Sequence, residues 1–286
     1  MFPQKICIEL PHHISAFWLP VNSRNPLKKG SIGAGFLVTP RSVACYPAEK
    51  FPFKIKPRQL NIIDRILNVD RIPFKYKDPL PPAVGYSVSA TLSLSYSFVS
   101  YIHLGKSFTL GEVCRLSHIA EVKSNTGLGD ISAICGGKGV VIRLFPGAPG
   151  FSVVDSLVTD VKKFAIVTSV LRRMKTKDML RAYKGSLEIE GTKAFYDFLE
   201  DSSVEHLVQI AKEFSKRVGM MSEEIDDRLS GLLKGTGALG YFVKKGIIVV
   251  LTPVEEKKEI YAKLKSHFGN ARIHSIDDSG LRIIYS

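Results

Sequence analysis

The chain has 286 residues, with 40 Lys and Arg against 27 Asp and Glu, a net charge of +13 and 45% apolar residues. That length suits one large or two modest domains, and the apolar share suffices for a proper core. No run of eighteen apolar residues occurs, which argues against a transmembrane helix. The opening M-F-P-Q-K-I-C-I-E-L lacks the basic-then-apolar order of a signal peptide.

The positive charge admits nucleic-acid binding. However, the basic residues are scattered, clusters such as Lys28-Lys29, Arg172-Arg173 and Lys257-Lys258 are short, and no aromatic–basic binding motif accompanies them. A solvated basic surface that attracts anionic metabolites is the better account. Cys7, Cys45, Cys114 and Cys135 show no C-x-x-C spacing. They read as buried or free thiols in a reducing compartment, and the location expected is cytoplasmic.

In chain order, residues 4–10 alternate as a first strand, and P-H-H-I-S-A-F-W at 11–18 breaks the pattern. A polar loop leads to G-S-I-G-A-G at 30–35, after which F-L-V-T and R-S-V-A-C-Y read as strands. Mixed strand and loop is expected up to Pro82.

The stretch Pro79–Ser97 then places three prolines before a glycine and small hydroxylated residues after it. Proline and glycine make a rigid, tight loop. Ser87, Ser89 and Thr91 sit where a helix begins, with its unpaired N–H groups and the positive end of its dipole. Such a start with small residues is a phosphate cradle, although no G-K-[ST] follows as in a Walker loop. A proline–glycine turn capped by serine accounts for the same residues.

Thr109-Leu110-Gly111-Glu112 has the form of a capping box, and Val113, Leu116, Ile119 and Ala120 continue at helical spacing to about Lys123. N-T-G-L-G-D follows at 125–130, then Gly136-Gly137, a strand V-V-I-R-L-F and the turn P-G-A-P-G. After about residue 155 amphipathic segments take over, at 176–184, 191–200, 203–217 and 221–233. The chain closes as strand, strand, helix, strand, strand between 238 and 285. A strand-rich first half and a helix-rich second half argue for two α+β domains, 1–155 and 156–286.

Three glycine-rich stretches thus stand in order: G-S-I-G-A-G-F, P-P-A-V-G-Y-S-V-S-A and N-T-G-L-G-D-I-S-A-I-C-G-G. With P-H-H-I-S-A-F-W, R-L-F-P-G-A-P-G, T-K-D-M-L at 176–180 and the ending D-D-S-G-L-R-I-I, they resemble the GHMP small-molecule kinases. Within that superfamily they resemble the archaeal pantoate kinases, over nearly the whole chain. The resemblance implies an N-terminal domain with a left-handed βαβ element and a ferredoxin-like C-terminal domain. It further implies transfer of phosphate from ATP to (R)-pantoate, giving 4-phosphopantoate for coenzyme A synthesis, with magnesium and as a homodimer. A mevalonate- or homoserine-kinase-like activity is the alternative within the superfamily. The chain departs from the family where a second loop glycine is usual and Ser87 stands. Ala90-Thr91 replaces a Gly-Ala pair, and G-T-G-A-L-G at 235–240 is a weak third glycine motif.

The resemblance also implies site residues. Ser89 would hold the β and γ phosphates and magnesium, on a loop with Pro82, Gly85, Ser87 and Ala90. Gly85 allows close backbone approach. Asp130 would take the acceptor's proton, although an acid there could equally cap the next helix. Glu121 would ligate magnesium, a hard cation that prefers oxygen, or be a solvated helix residue beside Lys123. Arg143 would bind the pantoate carboxylate; the otherwise apolar run V-V-I-R-L-F fits a surface charge poorly. Ser31, Thr176 and His13 are the further substrate-binding candidates, each also plausible as a turn, cap or structural residue.

Overall fold

Two long antiparallel strands, β1 (Ile6–Val21) and β2 (Gly30–Tyr46), lead the fold and pair along almost their whole length. The computed structural model describes residues 5–285. β1 does not end at Pro11 as the sequence suggested. It passes through with register shifts between Leu10 and His12 and between Ser15 and Phe17. A bulge is where a missing N–H is tolerated inside a sheet.

The remaining elements are α1 (Arg58–Leu67), β3 (Lys75–Lys77), α2 (Val88–His103), α3 (Leu110–Ser124), α4 (Asp130–Gly136), β4 (Val140–Phe145), β5 (Val153–Leu157), β6 (Phe164–Val170), α5 (Thr176–Ala182), α6 (Lys184–Glu200), α7 (Val204–Arg217), α8 (Glu223–Leu233), β7 (Gly240–Lys244), β8 (Ile247–Pro253), α9 (Lys257–Phe268), β9 (Arg272–Ser275) and β10 (Arg282–Tyr285). α1 lies where strand and loop were expected. Pro57 precedes it without a side-chain cap, and it is held by burying Leu60 and Ile63. The capping box of α3 is formed in both directions between Thr109 and Glu112.

The first sheet runs β10-β1-β2-β4-β5, with β3 beside β2. β3 and β4 are both antiparallel to β2. They therefore run parallel to each other, and α2 to α4 connect them as a βαβ element. The second sheet runs β7-β8-β6-β9, all antiparallel. With helices between β6 and β7 and α9 between β8 and β9, this is the ferredoxin-like order. Position 155 falls inside β5, and β10 returns from the second sheet to the edge of the first.

Two apolar cores flank the first sheet. One packs α1 to α4 against residues such as Ile8, Leu10 and Val141. The other packs Phe17, Trp18 and Phe36 against Phe198, Phe214 and the second sheet. The four cysteines form two disulfides, Cys7–Cys45 across β1 and β2 and Cys114–Cys135 between α3 and α4. This corrects the expectation of free thiols: partners 38 and 21 residues apart leave no spacing signal, and only the strand register and helix packing bring them together.

Candidate active site

α2 is buried on nearly every side, from Ala90 to Ser100, so its start is fixed by the surrounding packing rather than by one amphipathic face. Its N-cap is Ser87, in the left-handed region at φ 57°. Glycine adopts that conformation without penalty, which explains why a glycine is usual at this loop position. Here the serine hydroxyl donates to Tyr86 O at 2.5 Å and accepts from His13 N at 2.7 Å. No side chain caps the helix start; Ala90 N and Thr91 N bond back to Ser87 O, while Val88 and Ser89, the first helical residues, line the loop cavity. The loop before it is anchored by Met174 N to Ala83 O at 2.7 Å and Gly246 N to Val84 O at 3.1 Å. Gly85 takes φ 135°, and a side chain there would press on Lys244 O and Ile247.

Ser89 is not the cap. Its hydroxyl donates to Glu121 Oε2 at 3.0 Å. Glu121 is 1% exposed and also accepts from Ser93 at 3.2 Å and Thr126 at 2.5 Å. It is no solvated helix residue. Burial pushes its pKa up to about 7 against the pull of the Thr126 hydroxyl.

Asp130 is the first residue of α4, whose N-cap is Gly129, so it caps nothing. Its Oδ1 accepts from His13 Nδ1 at 2.7 Å. Burial alone would raise its pKa, but Lys244, the His13 bond and Lys245 outweigh this and hold the carboxyl well below the usual range. Burial pushes His13 down to about 4, so the ring is neutral and gives its one N–H to Asp130. The geometry thus places His13 behind the acid, where a contact with substrate was expected.

Arg143, on β4 opposite Gly33 of β2, is 2% exposed, and its Nε and Nη2 have no partner. Burial pushes its pKa down to about 10, with Asp130 opposing. A buried guanidinium with free donors is costly to the fold and suits an anion that arrives later. Gly129 lies against Ser31 and Arg143, and Gly127 against Glu121, so closely that a Cβ at either would overlap them. The glycines of T-G-L-G-D are therefore close-approach residues.

Several of these side chains line two neighbouring cavities that have Asp130, Thr176 and Lys245 in common. The smaller cleft holds Ser31, Asp130, Arg143 and Lys244, with apolar walls from Trp18 and Met179. The larger, ≈ 640 Å³, runs from the α2 start, including Pro82, Gly85, Ser87 and Ser89, to Phe53, Tyr76 and Leu92. Ala90 is fully buried behind the loop. Thr176, at the start of α5, donates to Thr126 O at 2.6 Å and lines both cavities. Lys244 and Lys245 escaped the sequence reading. K-K-G between two apolar strands looks like a solvent turn, yet Lys244 is 4% exposed and burial pushes its pKa down to about 7.

For magnesium the donor set is Glu121 and Ser89, both oxygen and close to the α2 start. One carboxylate plus substrate phosphates is the usual protein contribution to that ion, so the residues fit. Among the described residues no three His, Cys, Asp or Glu side chains gather at one point, and none of the helices is long and apolar enough to cross a membrane.

Solved structures establish the class of fold. The chain overlays a phosphotransferase related to the CoA biosynthesis pathway with a TM-score of 0.81 at 24% identity, covering 99% of both chains. A homoserine kinase from Cytophaga hutchinsonii overlays at 0.69 with 13% identity, over 99% of this chain and 98% of that one. Mevalonate-3-kinase from Thermoplasma acidophilum overlays at 0.66 with 13% identity and the same coverage. The fold is that of the GHMP kinases. No protein-family model matches the chain. Among curated proteins, it is 27% identical to the pantoate kinase of Thermococcus kodakarensis over 87% of this chain and 88% of that protein. It is 26% identical to that of Methanocaldococcus jannaschii over 75% and 81%. The resemblance to archaeal pantoate kinases read from the glycine stretches therefore extends through most of the chain.

Proposed function

We propose that the chain is an ATP-dependent kinase that phosphorylates the 4-hydroxyl of (R)-pantoate, a step toward coenzyme A. The observation that carries this is Arg143, a buried guanidinium with unused donors beside Ser31 and Asp130, in a cleft that shares lining residues with the phosphate-loop cavity. Its planar fork suits the pantoate carboxylate, and Trp18 and Met179 offer apolar walls to the dimethyl carbon. The similarity to curated pantoate kinases supports the same substrate.

In this reading Ser31, Thr176 and Arg143 hold the acceptor. Asp130, oriented by His13, takes the hydroxyl proton as the acceptor oxygen bonds to the γ-phosphorus. The bond to the bridging oxygen breaks, and ADP leaves with its electron pair. The α2 start with Gly85, Ser87 and Ser89 holds the nucleotide phosphates. Magnesium, held by Glu121 and Ser89, neutralises charge on the phosphates when bound. Phe53, Tyr76 and Leu92 exclude water around the base. A cytoplasmic homodimer completes the reading; disulfides inside cells are a feature of hyperthermophilic proteins.

A panel of pantoate, mevalonate, homoserine and shikimate tests it by ADP release. Pantoate should raise release well above the ATP-only rate. A response to mevalonate or homoserine instead would assign the chain to another GHMP activity. No response to any, with salt-sensitive nucleic-acid binding, would overturn the kinase reading.

A further inference from the structure

We propose that Lys245, at the tip of the β7–β8 hairpin, is a catalytic residue that contacts the phosphoryl group in transit between the two cavities. The inference rests on the kinase reading above and adds a residue from the second sheet to a site otherwise built on the first.

The position comes first. Asp130, Thr176 and Lys245 are the residues that line both the acceptor cleft and the nucleotide cavity. A group passing from one cavity to the other must cross between them, and of the three only Lys245 is a cation. Its Nζ donates to the neutral Thr176 hydroxyl at 2.8 Å. Among the described residues it forms no ion pair within 4.0 Å, although Asp130 and Glu121 both act on it through space. A lysine serving the fold from a surface turn would extend into water. This one is drawn inward, where an unpaired cation is costly and where the negatively charged oxygens of a transferring phosphoryl group would satisfy it.

The hairpin is also held in place. Lys244 and Ile247 face each other across the turn, and Lys245 occupies the left-handed region at φ 54°. That is uncommon for a long side chain and is kept only where the surrounding structure holds it. Gly246 N donates to Val84 O of the phosphate loop, and Gly246 O accepts from Leu171 N at 2.8 Å. Gly246 lies so close to Arg172 O that no side chain fits. The turn is therefore tied by its backbone to the phosphate loop, which sets Lys245 beside whatever that loop binds. Lys244, buried next to it, is the first of the cations that keep Asp130 ionised.

Lys245→Asn tests this, because asparagine tolerates the left-handed conformation while the ammonium and its reach to Thr176 are removed. Wild type, Lys245→Asn and Lys245→Arg are compared for turnover, acceptor KM and binding of ADP and of the β,γ-methylene analogue of ATP. We expect Lys245→Asn to lose about 10²–10³-fold in kcat, as for removal of one preorganised transition-state donor, with acceptor KM within about threefold. Affinity for the methylene analogue should fall about tenfold more than affinity for ADP, and Lys245→Arg should recover part of both losses. Turnover of Lys245→Asn within about threefold of wild type, or equal loss for the analogue and ADP, would overturn the inference while leaving the kinase reading intact. A wild-type protein that turns over no acceptor fails the kinase reading itself; the two nucleotide affinities then still decide whether Lys245 meets a γ-phosphate.

Discussion

His13 Nδ1 stands 2.7 Å from Asp130 Oδ1, joining residues 117 positions apart in the chain. The same histidine donates its backbone N–H to Ser87 Oγ on the phosphate loop. One residue of β1 therefore sets the acid and the loop relative to each other. With Oδ1 bonded to His13, Oδ2 is the carboxylate oxygen that the proposed proton transfer would use.

Asp130→Asn keeps the size of the side chain and removes its basicity. Turnover should fall by about 10²–10⁴-fold, with nucleotide affinity within a few-fold of wild type. Steady-state kinetics and nucleotide titration check both. Activity retained within a few-fold would leave positioning and electrostatics alone to carry the reaction.

Arg143→Met should separate function from stability. Loss of a charge-assisted contact worth about 1.5–3 kcal/mol raises the acceptor KM roughly 10–150-fold, with little change for ATP. The melting temperature should rise, because a buried cation with two unpaired nitrogens is replaced by a hydrophobe. A defect confined to ATP moves Arg143 to the nucleotide. Unchanged constants with a lower melting temperature make it structural.

Ser89→Ala should lower turnover severely while the fold loses only the net worth of one hydrogen bond, about 0.5–1.5 kcal/mol, because Ser87 and not Ser89 starts the helix. Normal turnover in a folded variant removes Ser89 from the phosphate site.

Acid should destabilise the protein in a defined window. Burial lowers His13 and His274 to about 4, whereas unfolded histidine titrates near 6.5. Between those values the unfolded chain binds more protons, so stability is full above about 6.5 and falls as pH drops toward about 4. The slope is at most about 1.4 kcal/mol per pH unit for each histidine. His274 lines neither cavity and is bonded to Thr168 and Thr39, although its ring packs on Tyr86, so His274→Gln should flatten the slope and leave turnover within a few-fold of wild type. Urea midpoints at pH 7.5, 6 and 5 measure it; equal slopes for both proteins would contradict the assignment.

Much of this site was legible because its residues lie in short local patterns. The proline–glycine loop before α2, the capping box of α3 and the lone arginine in V-V-I-R-L-F all carry their chemistry within a few positions. α1 was not legible: it has no capping side chain and follows a proline-rich stretch. The bulges that carry β1 through Pro11 depend on its partner strand. The cysteine pairs and the hairpin lysines were missed for one reason. Their meaning lies in what stands opposite them, and a Lys-Lys-Gly turn reads as solvent until the second sheet folds it against the phosphate loop.

The most direct measurement is the product itself. The protein is incubated with ATP, magnesium and (R)-pantoate, and the mixture is read by mass and by phosphorus NMR. The account requires one phosphate ester on the 4-oxygen of pantoate for every ADP formed. ADP with free inorganic phosphate and unaltered pantoate, or an ester formed only when mevalonate or homoserine replaces pantoate, would contradict it.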